Sequence, residues 1–155
     1  MRPIRLLIAG FTAFRDRQEI DFDELDLFAI SGPTGSGKTS VLDAITYALY
    51  GRIERVGNQA GQFISQGQKR MSVELEFSVG NERYHVTRTT PASGATTIML
   101  ERWAGEEWRQ VGEGADRVKG ANEIIRNALG LDYESFTRTV LLPQGKFAQF
   151  LSGDA

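Results

Sequence analysis

At 155 residues, with 41% hydrophobic and 25% charged residues, the chain has the size and composition of one ordinary globular domain and too many apolar residues for a disordered one. The absence of cysteine excludes a disulfide framework, a thiol nucleophile and a thiolate metal site, and the lone His85 cannot furnish a histidine metal centre or a Ser/His/Asp triad, which leaves phosphate chemistry as the main option. A net charge of −2 excludes a surface that attracts nucleic acid everywhere, although a local basic patch remains compatible with it.

The opening MRPIRLLIAGF is too short and too strand-like for a signal peptide, and no apolar run approaches the ~20 residues that cross a bilayer. A soluble cytoplasmic protein with no membrane partner is expected. Ile4 to Ala9 reads as a strand, GFTAFRDRQ as a polar turn, and Glu19 to Phe22 as a second strand with Ile20 and Phe22 on one side. Leu27 to Ile30 is apolar without alternation, as expected of a central strand covered on both faces. From Val41 to Leu49 the apolar residues recur at helical spacing, and Gly51 stands where a helix stops. Arg52 to Lys69 is rich in Gly, Gln and Asn and reads as a mobile surface segment.

Further on, Val73, Leu75, Phe77 and Val79 alternate with polar residues, and the turn at Gly80-Asn81 returns the chain through Tyr84 to Thr89 as a hairpin. A second hairpin is expected from Thr96 to Trp103 and Trp108 to Val111, with Trp103 and Trp108 packing across it and His85 a partner of a Glu or Thr. Helical spacing resumes from Ala115 to Leu129, with Gly130 as the stop, and Asp132 is placed to cap a helix from Tyr133 to Thr139. There are no internal repeats.

Between the expected central strand and the first helix stands GPTGSGKT, Gly32 to Thr39, which fits the phosphate-binding loop GxxxxGK[ST] at every fixed position. Gly32, Gly35 and Gly37 let the backbone turn its N–H groups toward one phosphate chain, and the following helix adds the positive end of its dipole. Candidate nucleotide-binding residues are Gly32, Thr34, Gly35, Ser36, Gly37, Lys38, Thr39 and Ser40, with Lys38 on the β- and γ-phosphates and the Thr39 hydroxyl on Mg²⁺. The loop by itself leaves kinases, transferases, GTPases and transport-type ATPases open.

Near the end of the chain, LLPQGKF, residues 141–147, places Gln144 in a short loop between two helical stretches. By itself it is a polar loop residue. Its amide oxygen can nevertheless accept a metal and its NH₂ orient a water without adding charge, which suits a sensor of the γ-phosphate.

In this order and spacing, FTAF, GPTGSGKTSVLDAITYALYG and LLPQGKFAQFL closely resemble the start of the SbcC family, large ATPase subunits of SMC-like DNA double-strand-break repair nucleases. The resemblance covers nearly the whole chain. It implies an α/β P-loop NTPase of ABC-ATPase type: a mixed sheet around the P-loop helix plus an antiparallel β lobe, with residues 1–155 forming the N-terminal half of one ATPase head. Gly32 to Thr39 would be Walker A, and Gln144 the Q-loop glutamine that contacts the metal and couples ATP to movement between lobes. Thr12 stands where relatives often carry a basic residue, which leaves Arg15 or Arg17 as candidates for that phosphate contact.

The family's Walker B carboxylates, signature motif and switch histidine lie in a C-terminal half beyond a coiled coil. Leu151 to Asp154 looks like a signature motif but follows the glutamine loop too closely and reads as helix-end residues. Implied cofactors are ATP and Mg²⁺. Implied partners are the C-terminal half of the same head, a second head in an ATP-dependent homodimer, an SbcD-type nuclease subunit and double-stranded DNA ends, in a nucleoid-associated setting. The segment alone is expected to be inactive, with catalysis by Lys38 and Gln144 completed by a base from the other half. Alternatives are a P-loop kinase or transferase, disfavoured by the two strands preceding the loop, and a non-catalytic nucleotide-dependent scaffold. Candidate DNA contacts are Arg52, Arg55, Lys69, Arg70, Arg83 and Arg88, although charge in a Gly/Gln-rich loop usually serves solvation.

Overall fold

The computed structural model describes residues 1–25, 29–53 and 60–139. Two strands, β1 (Arg2–Ala9) and β2 (Gln18–Asp21), precede the helix α1 (Lys38–Tyr50). A short 3₁₀ turn at Ala60–Phe63 leads to β3 (Arg70–Val79), β4 (Glu82–Pro91), β5 (Thr97–Trp103) and β6 (Trp108–Gln110), followed by α2 (Val118–Leu129) and α3 (Tyr133–Thr139). The strands form one six-stranded sheet in the order β2-β1-β3-β4-β5-β6. Every pairing in it is antiparallel.

The period-2 pattern of β3 and β4 sorts their side chains as the sequence requires. Met71, Val73, Leu75 and Phe77 face the core together with Tyr84, Val86, Ile98 and Leu100, and Leu6 and Ile8 of β1 extend that face. Across it lies α1, which buries Val41, Ala44, Ile45, Ala48 and Leu49. α2 packs beside α1 and over β5 through Ala121 and Ile125. At the far end of α1, Tyr50 meets Tyr133 edge-on at 5.8 Å and Phe136 at 5.4 Å. The Tyr50 hydroxyl donates to the Leu131 carbonyl (3.0 Å), and its pKa is pushed up to about 12 by burial and by the nearby Asp132 carboxylate. Asp132 caps α3, accepting the Ser135 N–H at 2.8 Å, and that bond holds its carboxyl below the usual range.

Three features differ from the sequence reading. The expected mixed sheet with a separate antiparallel lobe is, among the described residues, one continuous antiparallel sheet, because β1 pairs on its two edges with β2 and β3 and joins the two parts. Of the central strand expected over Leu27 to Ile30, residues 27 and 28 lie outside the described residues, and Ala29 and Ile30 are exposed and outside any strand. The stretch expected to be mobile surface also contains packed residues: Ile53 and Phe63 are in the core, and Ser65 is buried. Two large apolar side chains are enough to pin a chain that Gly and Gln otherwise loosen.

Arg88, by residue type a candidate surface base, is instead fully buried on β4. Its Nε donates to the Ala48 carbonyl (2.8 Å), and its Nη2 to the Leu49 carbonyl (3.2 Å) and to Asn122 Oδ1 of α2. Those carbonyls belong to the last turn of α1, where no intrahelical donor remains and where α1 carries no basic residue of its own. Arg88 therefore supplies the positive charge that the negative end of α1 favours. Desolvation lowers its pKa to about 10, offset in part by Tyr47, so the guanidinium stays charged at neutral pH. Arg88→Met should lower stability by about 2–4 kcal/mol, because the carbonyls and Asn122 lose a charged partner without regaining water. A urea midpoint that drops at constant slope is the expected result, with Arg88→Lys recovering part of the loss by keeping the charge but not the three-way bridge.

Candidate functional site

The residues Gly32 to Ser40 form a loop running into the first turn of α1. The Ser36 N–H donates to the Pro33 carbonyl (3.2 Å), which folds the loop into a turn, and the first helical bond runs from Val41 N–H to the Gly37 carbonyl (3.2 Å). The N–H groups of Lys38, Thr39 and Ser40 precede that bond and have no intrahelical acceptor. Gly37 is the N-cap, no side chain caps this end, and no acidic residue occupies the first turn. The helix start thus presents backbone donors and dipole with nothing anionic to compete, the arrangement that suits a phosphate.

Lys38 Nζ donates to the carbonyls of Gly32 and Pro33, each at 2.7 Å. The side chain is drawn back across its own loop, where its ammonium bonds two loop carbonyls. Gly32, Thr34, Gly35, Ser36 and Thr39 are exposed, whereas Ser40 is buried at 7% exposure. Ser40 accordingly offers a ligand its backbone N–H rather than its hydroxyl. The Thr39 hydroxyl, on the exposed first turn of α1, is an uncharged oxygen of the kind that completes the oxygen shell of a phosphate-bound Mg²⁺. Gln144 and its loop, Leu151 to Asp154 and Arg55 lie outside the described residues.

One wall of the loop comes from residues outside the phosphate-binding motif. Gly37 has φ 91°, and a Cβ added there would meet Phe14 Cζ at 3.1 Å and Ala13 Cβ at 3.4 Å. The turn between β1 and β2 therefore rests directly on the loop. That turn is closed by reciprocal backbone bonds between Phe11 and Phe14 (3.0 and 2.9 Å), with Thr12 at φ 49°. It is further held by the 60–65 segment: Thr12 N–H donates to the Phe63 carbonyl (2.7 Å), Ser65 N–H to the Gly10 carbonyl (2.8 Å) and Ser65 Oγ to the Thr12 carbonyl (2.8 Å). Phe11, fully buried, packs on Tyr47 of α1 and on Phe63 at ring separations of 6.0 and 5.6 Å. The sequence does carry a signal for this wall, since two phenylalanines three apart in an otherwise polar turn call for burial.

The remaining candidates separate. Arg15 and Arg17 line a groove with Ser72, Thr87 and Thr89, on the sheet face turned away from α1. Arg52 lies over the Tyr133 ring at 4.4 Å, Arg83 is paired with Glu76, and Arg88 is enclosed as described. His85 is flanked by Glu101 (3.3 Å) and Glu74 (3.9 Å), with its ring 5.5 Å from Trp108. Trp103 and Trp108 pair across their hairpin, edge to face at 5.3 Å.

The geometry at Gly37 generates a direct test. Gly37→Ala forces a left-handed residue to carry a Cβ and pushes it into Phe14, so nucleotide affinity by calorimetry should fall at least about tenfold while the far-ultraviolet spectrum is kept. Adding Phe14→Ala relieves the contact but not the backbone strain and should restore only part of the affinity.

The AAA domain family matches residues 5–155. The chain is 45% identical to the SbcC subunit of nuclease SbcCD from Deinococcus radiodurans, over 99% of this chain and 17% of that protein. It is 40% identical to the probable DNA double-strand break repair Rad50 ATPase of Aquifex aeolicus, over 97% of this chain and 15% of that one. With the SbcC subunit of the Bacillus subtilis nuclease SbcCD the identity is 38% over 98% of this chain and 14% of the relative. The chain thus spans only about a sixth of the length of these curated relatives. Among solved structures, the recombination mediator protein RecF-ATPrS shares the fold with a TM-score of 0.53 at 14% identity, covering 66% of this chain and 28% of that one. The chain is a member of the AAA domain family of P-loop ATPases, and its sequence is that of an N-terminal segment of the SbcC and Rad50 type.

Proposed function

We propose that this segment is the nucleotide-binding half of an SbcC-type ATPase head, which binds Mg²⁺-ATP on the 32–40 loop and is completed by the C-terminal half of the same protein. The observation that carries the reading is the start of α1: an uncapped helix N-terminus behind a left-handed Gly37, with the Lys38 ammonium bonded to two carbonyls of the same loop. In this reading the loop N–H groups cradle the β-phosphate, Lys38 stabilises charge growing on the γ-phosphate, and Thr39 holds the metal. Gln144, about a hundred residues further on, reports the γ-phosphate to the rest of the head. The exposed apolar residues Leu25, Ile30 and Leu42 suit a protein whose remaining part covers them. Two such heads then close around ATP in the cytoplasm and regulate an SbcD-type nuclease subunit on double-stranded DNA ends.

Calorimetry on the protein carrying both halves tests the site. Lys38→Ala should weaken ATP by at least about tenfold, since it removes the side-chain charge of the loop, and unchanged affinity would overturn the assignment. Gln144→Ala should leave ATP affinity within about tenfold, roughly 1.4 kcal/mol, while ATP-driven head dimerisation is lost. Dimers of normal stability in that variant would remove the glutamine from the coupling role.

A further inference from the structure

The C-terminal end of α1 and the N-terminal end of α2 border one cavity of about 370 Å³, which Arg88 of β4 and Asn122 of α2 line together. Arg88 is fully buried, and the helix end that it serves does not use all of its guanidinium. Three of its five N–H groups are taken, Nε by the Ala48 carbonyl and Nη2 by the Leu49 carbonyl and Asn122 Oδ1. Nη1 is buried without an acceptor among the described residues. It lies at the Gly51 side of the cavity, where a Cβ on that glycine would stand 3.1 Å away. A charged donor left unbonded in the interior is unfavourable, which makes Nη1 a group in want of a partner.

The charge around this cavity is one-sided. Arg52 stands at its rim, exposed, with its guanidinium over the Tyr133 ring at 4.4 Å, and among the described residues no carboxylate lines it. α2 borders the same space through Val118, and its N-terminal end has no side-chain cap and no acidic residue in the first turn, so its leading N–H groups and dipole add positive potential. The opposing dipole of α1 is already met by the N–H groups that Arg88 gives to the last-turn carbonyls. Asn122 accepts from Arg88 through Oδ1, which leaves Nδ2 as a donor. The hydroxyls of Tyr47, Thr90 and Thr96 form a run that can end with the Thr96 hydrogen donated into the cavity. Donors thus converge with no anion between them, and a tetrahedral oxyanion offers acceptor oxygens to several at once, the guanidinium bond being charge-assisted. The tyrosine rings at the cavity are engaged elsewhere, Tyr47 on Phe11 and Tyr50 on Tyr133 and Phe136, so no ring is free to hold a base. We infer that this cavity binds one free oxyanion of the phosphate class, with Arg88 Nη1 at its floor, Asn122 Nδ2 and the Thr96 hydroxyl at its sides and Arg52 over its mouth. Entry takes rotation of the exposed Arg52 and half-buried Asn122 side chains, a change that leaves the backbone in place. The site is separate from the 32–40 loop, since the 13 residues of α1 put about 20 Å between them. Its occupant bridges α1 to α2, and the inference does not rest on the proposed function.

The test is calorimetry of inorganic phosphate into the full-length protein, against chloride at matched ionic strength, in the Lys38→Ala background so that the 32–40 loop does not contribute. Saturable binding of one phosphate per chain is expected, with sulfate competing. Asn122→Asp keeps an acceptor for Arg88 Nη2 but places a negative charge inside the cavity, so phosphate affinity should fall at least about tenfold with the fold intact. Arg52→Gln, at an exposed position, should lower it about threefold or more and serves if Asn122→Asp does not fold. With Lys38 intact, neither substitution should change ATP affinity. Heat no greater than that of chloride would overturn the site, as it would if water or a carboxylate from another part of the protein fills the cavity. Parent-like phosphate affinity in both variants would overturn it as well. Either result leaves the proposed function standing, because that reading is judged by ATP binding to the 32–40 loop.

Discussion

The N-terminal end of α1, behind the Gly32 to Thr39 loop, is positioned from its opposite end. A buried guanidinium from β4 takes two of the carbonyls that the last turn of the helix leaves unpaired and one amide oxygen from α2, so three elements are fixed at a single point. Burying that charge is unfavourable in itself, and its lowered pKa reports this. The cost is offset because the acceptors would otherwise be orphaned in the core. With the carbonyl end held against the sheet and Tyr50 docked on Tyr133 and Phe136, the N-terminal donors of α1 point from a fixed axis. A loop of small residues can then be mobile enough to admit a ligand without losing its aim.

Much of this is legible in the sequence because the chemistry is local. The loop is read from fixed positions, the helix ends from Gly51 and Gly130, the cap from Asp132, and the hairpins from alternation that the register confirms pair by pair. What escapes a reading of the sequence depends on contacts far apart in the chain. Arg88 reads as a surface base by type, although its parity with Tyr84, Val86 and Thr90 places it on the buried face. Its acceptors lie 40 and 34 residues away and leave no mark in its own segment. Ile53 and Phe63 are outweighed by the polar residues around them. Ile30 is β-branched yet lies outside any strand, because propensity alone does not supply a partner.

The arginines show how far residue type alone is from function. Net charge predicts a surface with little general attraction for polyanions. Within that total, Arg5, Arg83, Arg102 and Arg109 are matched to carboxylates, Arg88 is sealed in the core, and Arg15, Arg17 and Arg70 gather in one groove without a carboxylate partner among the described residues. Exposed matched pairs contribute little to stability, because solvent screens them. Their effect is rather to confine the uncompensated charge to one end of the sheet face.

That end is also where the turn between β1 and β2 is most tightly constrained. Gly10 sits at φ 64°, and a Cβ there would come within 2.4 Å of the Arg70 carbonyl, so β1 and β3 approach at this point as only a glycine permits. Five residues later Arg15 enters the groove, and between them Phe14 lies against Gly37. One short turn thus touches the nucleotide loop on one side of the sheet and carries an arginine to the other. A displacement of Phe14 as the loop closes on phosphate has to be accommodated by a backbone already bonded to Phe63, Ser65 and Gln68, and Arg15 is the residue at its free edge. Packed segments of this kind shift as units rather than deform, and this turn packs against both the 32–40 loop and the arginine-lined groove.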